Sequence, residues 1–167
     1  MNRLADSARE RALALPLPVY RHLPGSNARH DDRLLEQVCD MALAVTRDAD
    51  WQDNVAWLYG LRLLDEGFHW EAHEVLERVW MNAPPNSRER YLVQGIVQLA
   101  NARLKAGDGR EKAALRLLAI AGECLERAFG GNVASVMGID AGSVAGIMDA
   151  ARMGEKSSIC RNMQNNA

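Results

Sequence analysis

Apolar residues recur at three- and four-residue intervals along most of the chain, which is the period of helices buried on one face. Leu34, Leu35, Val38, Met41, Ala42 and Val45 predict a helix from about Asp31 to Arg47, and Val55, Leu58, Tyr59, Leu61 and Leu64 predict a second from about Asp53 to Glu66. Gly67 is placed to end the second as a left-handed cap. A third helix follows from about Phe68 to Met81, where Pro84 and Pro85 force a break. Asn86, with Glu89 three residues on, is read as the cap of a fourth helix reaching about Ala106. Gly107, Asp108 and Gly109 lead into a fifth, about Arg110 to Phe129, and a weaker pattern runs from about Asp140 to Arg152.

Before residue 31 the pattern changes. Pro16, Pro18 and Pro24 remove backbone donors and bias their predecessors away from helix, so an extended arm is expected after a short N-terminal helix. No strand pattern and no internal repeat emerges. The expected architecture is therefore all-α: an antiparallel bundle of about five to six helices with an extended, Pro-containing N-terminal arm. Residues 1–30 form the arm, 31–153 a single helical domain, and 154–167 a flexible tail. Residues 1–12 and 155–167 lack a sustained apolar face and are expected to be mobile.

Composition narrows the function classes. A chain of 167 residues, 48% hydrophobic, suits one core. Its net charge of −2 offers no general attraction to phosphate backbones, and no basic patch stands out, so nucleic acid is not an expected partner. No apolar run is long enough for a bilayer, and the segment from Ala12 to Val19 lacks the pattern of a signal peptide. Cys39, Cys124 and Cys160 are far apart and in no paired spacing, which fits reduced thiols and a cytoplasmic location.

Chemistry concentrates in the third helix. At about 100° per residue, Ala72, Val75, Leu76 and Val79 form its core stripe, with His69 and Trp80 at the margin. Glu71 and Arg78 are expected to point the other way. His69, His73 and Glu77, four residues apart, make a polar ridge beside the core. Two imidazoles one turn apart can converge on a divalent metal, and a carboxylate one turn further can ligate it or act as a base. The same residues equally suit a solvated helix border. Glu74 follows the second histidine instead of the first, so HExxH is lacking and zincin-type chemistry is not supported.

The fourth helix is apolar or small around most of its circumference, with a narrow wedge of Gln94, Gln98, Asn101 and Lys105. Neutral amides can hydrogen-bond a buried carboxylate or a ligand, or simply face water. Gly95 and Ala102 beside them would admit another backbone. A short Pro-containing turn makes the third and fourth helices antiparallel, which sets His73 and Glu74 roughly level with Gln94.

The run Gly67-Phe68-His69-Trp70-Glu71-Ala72-His73-Glu74-Val75-Leu76-Glu77, then Trp80 and Gln94-Gly95-Ile96-Val97-Gln98, resembles the bacterial family known as domain of unknown function 309. The likeness covers roughly residues 50–130. It implies an all-helical fold, polar signature positions at His73, Glu74, Glu77, Gln94 and Gln98, and a packing position at Trp80. Tyr20, Pro24, Gly25 and His30 resemble a Pro-Gly turn and histidine found before the first helix in some relatives. The label of predicted metal-dependent hydrolase that the family sometimes carries implies catalytic Glu74 and His73. In that reading His73, Glu77 and His69 are metal ligands, and Gln94, Gln98 and Glu77 bind the ligand. The alternative is a non-catalytic helical hairpin that binds a small molecule or a protein, with Trp51, Trp57 and Trp70 as an adhesive surface.

Overall fold

Gly67 and the Pro84–Pro85 pair divide the central apolar stretch into helices that must fold back on one another. The computed structural model describes residues 7–29, 31, 33–154 and 159. Among them are seven α-helices: α1 (Ala8–Ala14), α2 (Arg33–Asp40), α3 (Val55–Asp65), α4 (His69–Met81), α5 (Arg88–Gly107), α6 (Glu111–Phe129) and α7 (Ala141–Arg152). A 3-10 helix spans Asp48–Asp53, and β1 (Ser135–Val136) pairs antiparallel with β2 (Ile139–Asp140). Successive helices α3, α4, α5 and α6 pack in sequence, giving the expected all-α bundle with more helices than the periodicity predicts. No helix among the described residues is long and apolar enough to cross a membrane.

Three local expectations are corrected. The helix predicted to reach Arg47 stops at Asp40, because residues 43–46 bond to the last turn of α4 instead of to each other. Asn82 Nδ2 donates to the Leu43 carbonyl at 2.7 Å, and the buried Thr46 hydroxyl donates to the Val79 carbonyl at 2.8 Å. At the start of α5 the cap is Ser87, whose Oγ accepts the Arg90 N–H at 3.1 Å, while Asn86 takes a left-handed φ of 60°. The short strand pair was not expected at all. Its turn carries Met137 into the interior, where the carbonyl accepts from Trp57 Nε1 at 3.3 Å and the N–H donates to the Asp48 carboxylate.

Trp57 is consequently 0% exposed, and Trp51 and Trp70 are half-buried, so the three tryptophans form no adhesive surface. Trp80 is half-buried against the core, with the Arg90 guanidinium 4.2 Å from its ring centroid.

The N-terminal segment is fastened to α3. Ser7 and Glu10 form a capping box that starts α1, and Ala8 and Ala12, one turn apart, give it a buried face after all. Arg62 Nη1 donates to the carbonyls of Ala12, Leu13 and Leu15 at 3.0, 3.1 and 2.8 Å. Tyr59 donates its hydroxyl to the Pro16 carbonyl at 2.6 Å, and burial pushes its pKa up to about 12. Of the expected mobile ends, residues 1–6, 155–158 and 160–167 lie outside the described residues. Ile159 is buried, and its N–H donates to Asp65 Oδ1 at 2.7 Å.

Gly95 lets α5 and α6 approach closely, as its place among small residues on α5 suggests. A Cβ there would lie 2.8 Å from Leu125 Cγ and 3.3 Å from the Ala121 carbonyl oxygen on α6. Gly95→Ala should therefore push α5 and α6 apart and cost about 1–3 kcal/mol. A thermal melt of the variant that overlays the wild type would show that this contact is looser than it looks.

Candidate functional site

Helix α4 positions His73, Glu74 and Glu77, and its start is set by a sharp reversal after α3. Gly67 adopts a φ of 83°, in the region that disfavours side chains, and lets the Phe68 N–H reach back to the Leu63 carbonyl at 2.8 Å. Ala72, Val75, Leu76 and Val79 are fully buried, as the wheel predicts.

Glu71 is the correction. Expected to face away from the core, it is 0% exposed, and the arm reaches it at His22. Its Oε1 accepts the His22 backbone N–H at 2.7 Å. It also stands in the first turn of α4, where the positive end of the helix dipole favours a carboxylate. A helical wheel reports only the stripe facing the main core, so a second covered face is invisible to it.

The arm then folds around Trp70. The His22 ring meets the indole edge-on at a centroid distance of 4.6 Å, and the Arg29 guanidinium lies 4.9 Å from the indole centroid. Asn27 shapes the intervening loop, accepting the Leu23 N–H at 2.9 Å and donating to the Arg21 carbonyl at 2.9 Å. Arg29 Nη2 also sits 3.9 Å from Glu74 Oε2.

Beside this clasp, His73, Glu74 and Glu77 converge: one potential ligand atom from each lies within 4.8 Å of the others, and all three side chains are half-buried. Ligands of a tetrahedral ion with bonds of about 2.1 Å are roughly 3.4 Å apart, so small rotamer changes would close the set. One imidazole and two carboxylates on a single helix suit a borderline divalent ion and leave an open side for other ligands. His73 Nδ1 lies 3.3 Å from Glu74 Oε1. Because a carboxylate only accepts, the Nδ1 of His73 is the donor in that bond.

Glu74 is held below the ordinary carboxylate value of 4.5, first by the His73 hydrogen bond, then by the His73, Arg29 and His22 charges, with burial opposing. The half-buried Cys39 thiol, 4.0 Å from the Glu74 carbonyl, is pushed up by burial and gains no thiolate character.

His69 takes a different position from the other ridge residues. It lines a cavity of about 760 Å³ at the end of the bundle with Asp65, Arg103 and Leu118, and does not belong to the convergent group. Gln94 and Gln98 are half-buried on α5, and no hydrogen bond joins them to the trio among the described residues. His30 lies outside the described residues. Glu71, Trp70, His22 and Arg29 are the residues that the wheel and spacing leave out. The signal available for two of them was membership of the Trp70-Glu71 pair in the quoted signature.

Residues 57–117 match the family model described as "Domain of unknown function (DUF309)", which shows the family resemblance over the segment holding α4 and α5. No curated protein and no solved structure matches the chain.

Two outcomes follow. Glu71→Ala should cost about 1–3 kcal/mol by orphaning the His22 N–H, and should speed tryptic cleavage at Arg21 and Arg29; Glu71→Gln, which still accepts, should do so less. Equal protease resistance in all three proteins would mean that Glu71 does not hold the arm. Because the folded pKa of Glu74 is lowered, its contribution to stability is present above the ordinary value and lost as pH falls through the lowered one. Denaturant midpoints measured below about pH 4.5 should fall less steeply for Glu74→Gln than for wild type.

Proposed function

We propose that this chain is a metal-dependent hydrolase domain, working in the cytoplasm, with its site on the face of α4 that carries His73, Glu74 and Glu77. The observation that carries the reading is the convergence of those three donors within 4.8 Å on one half-buried face. His73, through Nε2, and Glu77 would hold the ion. Glu74 orients the imidazole through the Nδ1 hydrogen bond, in the manner of the outer carboxylates that fix ligating histidines. A divalent ion would supply Lewis acidity to the bond under attack. Glu74, kept ionised at neutral pH, would take the proton of the attacking water at a carboxylate oxygen. Gln94 and Gln98 would supply neutral amide contacts to the ligand from α5. His69, which lines the cavity at the end of the bundle, takes no part in this reading.

A second reading, a non-catalytic helical module for a small molecule or protein partner, draws support from one feature. Glu74 is already engaged within the chain, by His73 at 3.3 Å and Arg29 at 3.9 Å, so the cluster also works as a polar network that fixes the arm on the helix.

Metal retention separates the two. Wild-type protein exposed to zinc, manganese, iron or nickel should keep about one equivalent by elemental analysis and native mass spectrometry. His73→Ala and Glu77→Gln should lose it with unchanged helical content, while Glu74→Gln should keep the ion and lose turnover of hydrolysable esters and phosphoesters. Wild-type protein that retains none of these metals would sink the hydrolase reading and leave the module.

A further inference from the structure

The cavity at the end of the bundle lies apart from the His73–Glu74–Glu77 face, and its volume of about 760 Å³ falls within the roughly 300–1,000 Å³ of small-molecule sites. The ends of α3, α5 and α7 meet the first turns of α6 there, and His69 lines it from the start of α4. Leu64, Ala102, Ala114 and Leu118, all buried, give it an apolar wall. Three arginines, Arg21, Arg103 and Arg152, line it with three carboxylates, Asp65, Glu66 and Glu111. The lining as a whole therefore favours neither an anion nor a cation.

These charges sit at two depths. Arg21, Glu66, Glu111 and Arg152 are exposed, and both rim arginines are turned to partners of their own: Arg21 Nη2 donates to the Glu66 carbonyl at 2.8 Å, and Arg152 Nη1 to Asp149 Oδ1 at 3.0 Å. Asp65 and Arg103 are half-buried beside the apolar wall. Burial lowers the Arg103 pKa, and the Asp65 charge acts against that. Asp65 Oδ1 also accepts the Ile159 N–H at 2.7 Å. A guanidinium offers five donors and a carboxylate about four acceptor positions, so a partner within the chain and another in the cavity are compatible. A recessed pair of opposite charges next to apolar side chains is complementary to a molecule that carries both charges on an apolar body.

We propose that this cavity binds a small zwitterion with an apolar body, the chemistry of a hydrophobic α-amino acid, with its carboxylate at Arg103 and its ammonium at Asp65. The side group then lies against Leu64 and Leu118. A molecule with only one of the two charges leaves a member of the recessed pair unanswered and binds less well. His73, Glu74 and Glu77 lie outside the cavity, so this site and the metal reading stand or fall separately.

The full chain is titrated calorimetrically with L-phenylalanine, with phenethylamine, which lacks the carboxylate, and with hydrocinnamate, which lacks the amine. Wild type should bind phenylalanine saturably and each analogue about tenfold more weakly or worse. Arg103→Gln should weaken phenylalanine about tenfold and leave phenethylamine within about twofold. Asp65→Asn, which keeps an oxygen for the Ile159 N–H, should weaken phenylalanine and spare hydrocinnamate in the same way. Ala106→Trp, at an exposed lining position where a large side chain is compatible with folding, should block all three ligands with unchanged helical content. No saturable binding of phenylalanine to wild type overturns the proposal. So do analogues that bind as well as phenylalanine, point variants that weaken all three ligands alike, or an Ala106→Trp protein that binds as wild type does.

Discussion

A carboxylate is buried in the first turn of α4, and the arrangement of the site follows from how its burial is made tolerable. An ionised carboxylate withdrawn from water is strongly disfavoured unless it is hydrogen-bonded or balanced. Glu71 receives the His22 N–H and stands at the positive end of a helix. The donor comes from the arm, so the arm must lie across α4 at this height. Once it does, His22 and Arg29 close on Trp70, and Arg29 arrives beside Glu74. One wall of the candidate site is thus dictated by a side chain that does not face it.

The rest of the bundle is closed by the same kind of device in other hands. Helix ends leave carbonyls without partners, and a guanidinium offers several donors in one plane. Arg62 gathers the end of α1, Arg88 donates to the Ala128 and Gly130 carbonyls at the end of α6, and Arg90 to those of Trp80 and Ala83 after α4. With Thr46 and Asn82 at the same end, and His22 donating to Glu71 at the other, α4 is tied at both termini to distant parts of the chain. A site in the middle of such a strut sits on a rigid element, which is where precise side-chain geometry is easiest to keep.

Much of the fold was legible because its punctuation is local. Gly67, Pro84–Pro85 and Gly107–Gly109 carry their turn chemistry in their own residue types, and α3, α4, α5 and α6 lie within a residue or two of the expected limits. What the periodicity could not show are the places where distant chain competes for the backbone. Residues 43–46 gave up helix for bonds to α4, and Met137 was drawn inward by Trp57 and Asp48. The site divides in the same way. His73 and Glu77 meet because residues four apart always share a face. Arg29 joins them from more than forty positions away, through a loop whose course depends on Glu71.

Glu74 shows how the two contributions combine. Neighbouring residues on a helix diverge by about 100°, so Glu74 has no intrinsic reason to meet His73. It does meet it, with Oε1 3.3 Å from Nδ1, while Oε2 is 3.9 Å from Arg29. The carboxylate is stretched between a partner on its own helix and one brought by the arm, and each oxygen answers to a different segment. The ridge-forming spacing of α4 makes the cluster available, and the arm decides how Glu74 is oriented within it. A molecule entering between arm and helix would meet that carboxylate with its orientation already set from both sides. On the hydrolase reading this is the condition a proton acceptor needs, because its reach is fixed before the substrate arrives.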